Sequence, residues 1–572
     1  MTADGSPFAG AVATGEADGW PVVAVGPDGA LRASGDDVAA LLRGGGQGRW
    51  VVWSARSVAR FADAVDEGGD AEGRGALDRT WDVQQVHALL HGGMGGSPGL
   101  AWAAARGLDA GDLPAPPTGD LFDLLASDDG ALVAPDGHLR ADAAAWAVDA
   151  DRCAELARAA LEVARWQHGQ VAARGPRALL TAASESATAV LCLELERDGL
   201  PVDRVEAERL VTAAAGPEPR TLQDELDARA VRDAPVLAAV PGAGPLDLRS
   251  PAAVRRLLGL AGIEVESTRK WVLEAHRDAH PVVPALLAWR TTERVATTYG
   301  WRWLREHVGA DDRLRGRWHA CDGAAGRMTA QAGLHNLPAE LRPAVAAAPG
   351  HRLVRADLGQ VEPRVVAAVS GDEALAAATR SPDLYAPVAA RLGVERPVAK
   401  VAVLAAMYGQ RSGAAGEALR GMERAYPVAM GFLDAAQERG RRGEPVRTHG
   451  GRLVRTAIGA GPRGEGEELG ASAQGLEGAR GRYARNAVVQ GSAAELFKVW
   501  AVTTRARLRP LRARVVLCLH DELLVHVPTE HAQEAAQVLH DALADAARWW
   551  VADERVHLLA DVGVVDRWSE AK

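Results

Sequence analysis

Two aspartates, Asp357 and Asp521, have the sequence surroundings that most favour catalysis. Asp521 lies between two apolar, β-rich runs, residues 515–519 and 523–527, which predict a hairpin with a charged tip. Asp357 follows a short predicted strand at residues 353–356. Paired aspartates can hold two divalent cations about 3.5 to 4 Å apart and promote in-line phosphoryl transfer, and carboxylates suit Mg²⁺. Either aspartate alone could equally be a solvated turn residue, so only the pair indicates a two-metal site.

A predicted helix within residues 395–413 has a face that could bind a nucleotide. The face repeats every four residues and consists of Arg396, Lys400, Leu404 and Tyr408. The helix begins beside a proline and is followed by a glycine, which are typical boundary residues. Two cations followed by an apolar and an aromatic side chain can contact a triphosphate at one end and a base or sugar at the other. The alternative is a surface helix whose tyrosine packs in the core.

Two polar helix faces are candidates for contacts with nucleic acid. The first is formed at four-residue intervals by Arg482, Asn486 and Gln490. The second lies on a helix predicted over residues 283–299 and is formed by Arg290, Arg294 and Thr298. Side chains of these types contact phosphates and minor-groove acceptors without requiring a particular sequence. For the second face, a solvated helix surface is the alternative.

The elements that carry these residues belong to a long, acidic chain. Its 572 residues, 48% of them hydrophobic, predict a globular protein of roughly three or four domains. The net charge of −10 disfavours a general polyanion binder, but basic residues are concentrated in 327–364 and 391–424. The four cysteines are far apart in the sequence, which favours a reducing compartment over structural zinc. The sequence suggests no membrane-spanning run and no signal peptide, so we expect a cytoplasmic protein.

The order of predicted elements divides the chain into regions. Residues 1 to about 180 alternate as in an α/β domain, with predicted strands at 21–25 and 49–54. An Ala-rich helix is predicted over 142–174, and residues 184–299 are almost wholly helical. We expect the Gly- and Glu-rich residues 459–478 to form a flexible loop.

Several short motifs, in their order along the chain, resemble those of family A DNA polymerases. Asp357-Leu-Gly-Gln-Val-Glu-Pro-Arg364 resembles the first palm motif, Arg396-xxx-Lys400-xxxxxxx-Tyr408-Gly409 the fingers helix, and His520-Asp521-Glu522 the second palm motif. Further matching segments are Gly326-Arg327-Met-Thr through Leu334-His-Asn336-Leu-Pro338, Thr448-xx-Gly451-Arg452, Arg482/Asn486/Gln490-Gly491 and the ending DVGVVDRW. The resemblance covers the chain from about Ser184 to the C-terminus.

The resemblance implies an α+β, multidomain chain with a right-hand polymerase fold. This fold has an antiparallel palm sheet with helical fingers and thumb, preceded by a ribonuclease-H-like α/β domain of the 3′→5′ exonuclease type. The implied segments are a degenerate exonuclease-like domain at 1–180, the thumb and the start of the palm at 181–310, palm with the first metal motif at 311–370, fingers at 371–480 and palm with the second metal motif at 481–572.

The resemblance also implies roles for single residues. Two Mg²⁺ ions, or Mn²⁺ in their place, would be held by Asp357, by Asp521 and by the carbonyl of Leu358, with Arg396 and Lys400 as further catalytic residues. Glu362 would be a steric gate against a ribose 2′-hydroxyl group. The nucleotide would contact Gln360, Glu362, Arg396, Lys400, Leu404, Tyr408 and His520. The DNA would contact Arg327, Asn336, Arg452, Arg482, Asn486, Gln490, Arg290 and Thr298.

The implied activity is template-directed DNA synthesis at a primer 3′ end, in repair or gap filling. The protein would be a monomer that binds primer–template DNA and deoxynucleoside triphosphates, and no membrane. Leu404 stands where the family has an aromatic residue, which predicts weaker stacking on the nucleotide. The strand at 21–25 lacks the Asp-x-Glu of a proofreading exonuclease and Asp82 is the one well-placed acid, so no exonuclease activity is expected. Two alternatives stay open: a catalytically weak DNA-binding protein on this scaffold, and a two-metal nuclease.

Overall fold

A computed structural model of the chain describes residues 6–14, 22–34, 36–43, 48–59, 79–93, 96–115, 130–244, 246–409, 414–456 and 473–571. Most of the predicted loop at 459–478 lies outside these residues. The chain divides into two compact units. The first unit consists of Met1–Arg197, Trp318–Thr329 and Val354–Val564, and the second of Asp198–Arg317, Ala330–Leu353 and Val565–Lys572. The five segments inferred from the resemblance therefore stay predictions.

The N-terminal part of the first unit is a mixed sheet covered by helices. The sheet has the order β3-β2-β1-β4-β5, in which β1, β2 and β3 pair antiparallel while β4 and β5 run parallel to β1. The strands are β1 (Phe8–Thr14), β2 (Val22–Val25), β3 (Leu31–Ser34), β4 (Arg49–Val52) and β5 (Thr80–Asp82). The helices are α1 (Asp36–Arg43), α2 (Val83–His91), α3 (Pro98–Arg106), α4 (Ala143–Trp146) and α5 (Ala150–Ala172). The α/β prediction for this region is therefore confirmed.

Three strands of this sheet, β1, β3 and β5, were not predicted from the sequence, and β1 is the most central of them. The first strand is β1, in the middle of the sheet, and not the run at residues 21–25. Its sequence, FAGAVAT, is mostly Ala and Gly and so lacks most of the β-branched and aromatic residues that favour strands. The strand forms because its residues are buried, with Phe8 edge-on to Trp81 at 5.5 Å between ring centroids.

The expectation that the sequence contains no run of membrane-spanning length is wrong for the next helix, α6 (Pro176–Asp198). By length and composition α6 would qualify as a membrane span, but 72% of its apolar window is buried inside the protein. It also carries Glu185, which is fully buried and forms ion pairs with Lys498 and Arg452. Helix α6 is therefore a core helix that is apolar almost all round.

The second unit is mainly helical, as predicted. Its elements are β6 (Leu200–Pro201), α7 (Arg204–Ala215), α8 (Leu222–Ala238), α9 (Pro251–Leu260), α10 (Lys270–Ala275), α11 (Val282–Thr298), α12 (Trp301–His307) and β7 (Arg313–Leu314). Helix α9 has a typical N-terminus: the Ser250 side chain accepts from the Ala253 backbone N–H, and Pro251 lies in the first turn. A cluster of buried side chains around Val254, Leu286 and Trp289 forms the core.

The remaining elements build the part of the chain that carries the motifs. Residues 318–456 form β8 (Trp318–Asp322), β9 (Arg327–Ala330), β10 (His351–Leu358), α13 (Val361–Ser370), α14 (Glu373–Ala378), α15 (Tyr385–Leu392), α16 (Arg396–Tyr408), α17 (Ala414–Ala425), α18 (Pro427–Arg441), β11 (Val446–Arg447) and β12 (Leu453–Val454). The C-terminal stretch forms α19 (Ala473–Leu508), β13 (Arg514–Leu519), β14 (Glu522–Pro528), α20 (Ala532–Ala546) and β15 (Ala560–Val565). A four-stranded sheet in the order β13-β14-β10-β15 brings the two predicted aspartate motifs onto neighbouring strands.

Candidate active site

The alternation of side chains along β10 places Asp357 near the C-terminal end of the strand, on the face of the sheet opposite the buried residues. Val354, Ala356 and Leu358 are buried on one face of the strand, while Arg355 and Asp357 point to the other face. The strand is longer than the predicted run and includes Asp357 itself. It therefore fixes the backbone of the carboxylate rather than ending just before it.

The hairpin of β13 and β14 presents Asp521. The turn consists of His520 and Asp521 alone, because Leu519 pairs with Glu522, which begins β14 and is buried. His520 has φ 53°, as the tight turn requires. The backbone N–H of Leu358 donates to the carbonyl oxygen of Asp521 at 2.9 Å, so the hairpin turn is joined to β10 beside Asp357. The predicted pairing of the two aspartates is thus brought about by adjacent strands.

Burial and neighbouring acids disfavour the charged forms of both aspartates. Burial raises the pKa of Asp357 to about 6, and the charge of Asp521 adds to this effect. Burial likewise raises the pKa of Asp521, with further contributions from the charges of Glu522 and Glu362. Two carboxylates whose charged forms are disfavoured in this way provide a fitting donor set for a divalent cation. Within the described residues no group of three or more His, Cys, Asp or Glu could hold a metal ion, and Mg²⁺ commonly uses only one or two carboxylates together with substrate phosphates.

Arg355 is a charged group of the site that the sequence analysis did not single out. Its guanidinium lies 2.6 Å from Asp357 Oδ2, 2.9 Å from Glu522 Oε1 and 3.5 Å from Asp561 Oδ2. A signal was present, because residues two apart on a strand share a face and Arg355 is two residues before Asp357. Arg355 is one of the basic residues in 327–364 that were considered for contacts with nucleic acid. In the structure its charge is paired with carboxylates instead.

A cleft of about 270 Å³ collects many of the predicted nucleotide and DNA contacts. The predicted residues that line it are Arg327, Gln360, Glu362, Leu404, Gln490, His520 and Asp521. Tyr385, Met407 and Phe497 also line it, although no pattern in the sequence selected them. Metal-binding, nucleotide-binding and minor-groove candidates from five separate motifs therefore border one space.

Helix α16 presents its predicted face to this region. The side chains of Arg396 and Lys400 are exposed, whereas Leu404 and Tyr408 are half-buried. Pro397 lies in the first turn, and Gly409 ends the helix in the left-handed conformation with φ 69°. The alternative in which Tyr408 packs only in the core does not hold, because its hydroxyl lies 3.4 Å from Glu362 Oε2.

Asp383 links this helix to the turn after β10. Its carboxylate accepts from Arg396 Nε at 2.5 Å and from Gln360 Nε2 at 2.8 Å. The side-chain oxygen of Gln360 accepts from the Leu384 backbone N–H, also at 2.8 Å. Asp383 lies in a loop without a periodic pattern, so no local signal in the sequence indicated it.

The same loop is held by Arg364, whose side chain is fully buried. The hydrogen bonds that Arg364 makes among the described residues go to backbone carbonyl oxygens. The acceptors are the carbonyls of Gly359, Thr379, Ser381, Pro382 and His557. Arg364 therefore ties the strand end to the segment that precedes Asp383, and it is unavailable to nucleic acid.

The residues of the predicted polar face on α19 differ in their exposure to solvent. Arg482 is exposed, and Asn486 and Gln490 are half-buried. The amide oxygen of Asn486 is buried without a hydrogen-bond partner in the part of the chain that the structure describes. Between them, the buried Arg485 donates to the carbonyl of Ala406 and to Asp434, each at 2.5 Å. This contact fixes the C-terminal end of α16 against α19.

The predicted DNA contact of Arg452 is wrong. Its side chain is only 1% exposed, with Nη2 2.7 Å from Glu185 Oε1 and Nη1 3.2 Å from Cys321 Sγ. Lys498 lies 2.7 Å from the other oxygen of Glu185, so one buried carboxylate holds two cations. The resemblance of the segment Thr448-xx-Gly451-Arg452 had implied a role in DNA binding, and no local pattern could indicate the buried partner, Glu185, which is more than 200 residues away.

Three predicted DNA-binding residues, Asn336, Arg290 and Thr298, belong to the second unit. Asn336 and Thr298 are exposed, and Arg290 is half-buried with a hydrogen bond to the carbonyl of Thr268. Arg290 and Thr298 lie on α11 as predicted. Their contribution to DNA binding stays a prediction.

Asp82 has a structural contact that accounts for its position. It is fully buried, its Oδ1 accepts from the Gln85 backbone N–H at 2.9 Å and its Oδ2 from that of Ala55 at 2.7 Å. The residue therefore caps α2 and ties it to the end of β4. Burial raises the pKa of Asp82 to about 7 despite these hydrogen bonds. The corrected first strand, β1, contains no acidic residue.

Comparisons with known proteins agree with this geometry. A family model described as DNA polymerase family A matches residues 242–570. The chain is 31% identical over 334 residues to the thermostable DNA polymerase I of Thermus filiformis and 32% identical over 330 residues to DNA polymerase I of Chloroflexus aurantiacus. These matches cover 54% and 52% of this chain but only 38% and 33% of those proteins, so the matches span little more than a third of the relatives' length.

A solved structure is similar over almost the whole chain. It is described as the POL domain of Pol1 from M. smegmatis in complex with DNA primer-template and dNTP. The TM-score is 0.65 at 21% identity, and the match covers 99% of this chain and 96% of that one. The likeness confirms the predicted α+β, right-hand fold.

Proposed function

The chain belongs to DNA polymerase family A, and from this premise we propose that it is a template-directed DNA polymerase that extends a primer 3′ end. The observation that carries the proposal is the shared cleft. It places Asp521, the half-buried carboxylate of Glu362, Leu404 of α16 and Gln490 of α19 around one space. A nuclease that uses the same two aspartates would have no need for the exposed cations and half-buried aromatic of α16.

We propose that Asp357, Asp521 and the carbonyl of Leu358 hold two Mg²⁺ ions, for which Mn²⁺ can substitute. When bound, such ions lower the pKa of the attacking hydroxyl and stabilise the charge on the leaving pyrophosphate. The chain supplies the geometry: the Leu358 N–H to Asp521 hydrogen bond keeps the two carboxylates on adjacent strands in register. Ionised Asp357 is required, because a protonated carboxyl is a poor ligand.

The nucleotide would lie along α16. Exposed Arg396 and Lys400 can pair with the triphosphate, and Lys400 can donate a proton or charge to the leaving group. Glu362, fixed between Arg327 at 3.6 Å and the Tyr408 hydroxyl, fills the space that a ribose 2′-hydroxyl would need. Leu404 offers apolar contact without a ring, so stacking on the base is reduced.

We further propose that the N-terminal domain is ribonuclease-H-like and lacks proofreading. Strand β1 has no acidic residue, and Asp82 is committed to capping α2. Among the described residues, neither of these two elements therefore supplies the pair of carboxylates that two-metal hydrolysis needs. A task in repair or gap filling, carried out by a monomer, is consistent with synthesis without proofreading.

Primer extension tests the proposal. A labelled primer–template with all four deoxynucleotides and Mg²⁺ should be extended by the protein, and Asp357→Ala or Asp521→Ala should each reduce extension at least about a thousandfold. Asp541→Ala, an exposed acid on α20 that contacts Gln537, is the matched control and should extend normally.

The other possible outcomes of this assay distinguish the alternative functions. No extension at any Mg²⁺ or Mn²⁺ concentration, with retained DNA binding, would refute the polymerase and indicate a DNA-binding protein on this scaffold. A primer shortened in a manner that depends on Asp357 and Asp521 would indicate a two-metal nuclease. A primer shortened by the protein but not by Asp82→Ala would refute the absence of exonuclease activity in the N-terminal domain.

A further inference from the structure

A single guanidinium bridges three strands of the sheet that holds the two aspartates. Arg355 and Asp357 lie on the same face of β10, and the strands on its two sides, β14 and β15, contribute Glu522 and Asp561. Three different nitrogens of Arg355 each point to one of the three carboxylates: Nη2 to Asp357, Nε to Glu522 and Nη1 to Asp561. A planar guanidinium can make three such contacts through three different nitrogens, whereas lysine has a single ammonium nitrogen.

The three contacts differ in strength. Glu522 is 9% exposed and Arg355 is 14% exposed, so this pair is nearly desolvated. Asp357 is 31% exposed and its distance of 2.6 Å is the shortest. Asp561 is 73% exposed and 3.5 Å away, so it adds little. The charge of Arg355 is therefore committed mainly to the metal-binding aspartate and to the acid beside Asp521.

This arrangement has a consequence for cation binding. A divalent cation at Asp357 would approach a carboxylate whose Oδ2 already accepts from a guanidinium, and like charges at such distances repel strongly in a partly buried site. Either the ion pair lengthens or the cation binds within the field of Arg355. Both cost free energy, so binding to the protein without nucleotide becomes weaker. The negative charge of a triphosphate would offset the repulsion.

We propose that Arg355 is a positioning residue that serves as the internal counter-ion of the metal-binding carboxylates, holding Asp357 when no cation is bound and lowering the affinity of the nucleotide-free site for divalent cations. The proposal rests on the proposed function in that the cations are those of the polymerase site. It goes beyond that function because it assigns to Arg355 a lowered affinity for divalent cations in the absence of nucleotide, which the charge of a bound triphosphate would offset.

The test measures Mn²⁺ binding to the full chain without DNA or nucleotide, by the loss of the free Mn²⁺ electron paramagnetic resonance signal. Arg355→Gln removes the charge but keeps a donor, and it should bind Mn²⁺ about tenfold more tightly. Arg355→Lys keeps the charge and should stay within about threefold of the unmodified protein. Arg352→Gln is the matched control: it lies on the same strand but pairs with Asp566, and it should leave Mn²⁺ binding unchanged.

Stability provides a second readout. Loss of the counter-ion leaves the carboxylates to repel one another, so Arg355→Gln should melt at a lower temperature in EDTA and regain more of the loss on addition of Mn²⁺ than the unmodified protein does. If Arg355→Gln is unfolded in EDTA, recovery of folding by Mn²⁺ supports the proposal. Failure to fold in both conditions, or Mn²⁺ binding that is equal or weaker in a folded variant, overturns it in favour of a purely structural tie. Because no primer is present, these results are independent of whether the protein extends DNA.

Discussion

Replacing Glu185 by Gln should destabilise the first unit by about 3 to 5 kcal/mol. The magnitude follows from the geometry of its carboxylate, which is fully buried and lies 2.7 Å from both Arg452 and Lys498. The side chains of Arg452 and Lys498 are at most 1% exposed, so neither can be solvated when the charge of Glu185 is removed. Removing one partner of a buried pair leaves an uncompensated charge, and here two charges are left.

A nearby carboxylate will offset part of this loss. Burial raises the pKa of Glu495 to about 7, although Arg452 and a hydrogen bond from Thr448 oppose the rise. Once Glu185 is neutral, the two cations will favour the ionised form of Glu495, and its pKa will fall. The loss from Glu185→Gln should therefore be greatest at low pH, where Glu495 is protonated, and smaller above about pH 7.

The assay is hydrogen exchange of α6 and α19 followed by mass spectrometry, together with urea unfolding, because a chain of several domains need not unfold in two states. Glu162→Gln is the matched control. Glu162 pairs with Arg106 at 3.0 Å, but both side chains are about half exposed, so the expected loss is less than about 1 kcal/mol. A loss for Glu185→Gln no larger than for this control would refute the reasoning.

A second variant separates stability from DNA binding. Exchanging Glu185, Arg452 and Lys498 together for Leu, Met and Met should restore most of the stability, since well-packed apolar side chains often replace a buried ionic group at little cost. The same variant should bind primer–template DNA as tightly as the unmodified protein. A marked loss of DNA affinity in this folded variant would instead return Arg452 to the DNA interface.

Three further predictions concern protonation and stacking. Because the pKa of Asp357 is about 6 and its ionised form binds metal, Mn²⁺ affinity without nucleotide should be level above pH 7 and fall about tenfold per unit well below pH 6, as a titration between pH 5 and 8 would show. Leu404→Phe should raise nucleotide incorporation or dideoxynucleotide use severalfold in single-turnover kinetics, since a ring restores stacking; unchanged kinetics would mean that α16 does not contact the base. Asp82 has a pKa of about 7 in the folded protein against an ordinary value of 3.8, so the folded state binds the extra proton and the free energy of unfolding of the N-terminal domain should fall as pH rises from about 4 to about 7. Asp82→Asn should flatten that fall in urea titrations, and an unaltered slope would contradict the assignment.

Local patterns were sufficient where one segment contains all the information. The hairpin of β13 and β14 follows from two β-rich runs of five residues, and α16 follows from its proline, its glycine and its four-residue repeat. The pairing of Asp357 with Asp521 could be inferred because strand ends and hairpin turns limit where a carboxylate can point. Strand β1 was missed because burial, and not the propensity of FAGAVAT, stabilises it.

Contacts between distant segments could not be read from local patterns. Arg355 and Arg364 were counted among the basic residues of 327–364, and Arg452 was a predicted DNA contact, but the structure pairs all three with carboxylates or backbone carbonyls. Most of the partners lie tens to hundreds of residues away, and a tally of charge along the chain has no means of pairing them. Basic residues in the motifs therefore overstated the positive surface that DNA could contact.

The five carbonyl oxygens around Arg364 also cross-link segments that are far apart in the chain. The guanidinium joins the turn after β10 to residues 379–382 and to His557, so a displacement of any one of these three segments would break hydrogen bonds to the shared side chain. The linkage continues past these segments, because Gln360 in the same turn donates to the carboxylate of Asp383 and accepts from the Leu384 backbone N–H. Because Asp383 also accepts from Arg396 at 2.5 Å, any rotation of α16 would have to break this contact or carry Asp383 along with it, so the position of that helix is coupled to the strand that carries Asp357.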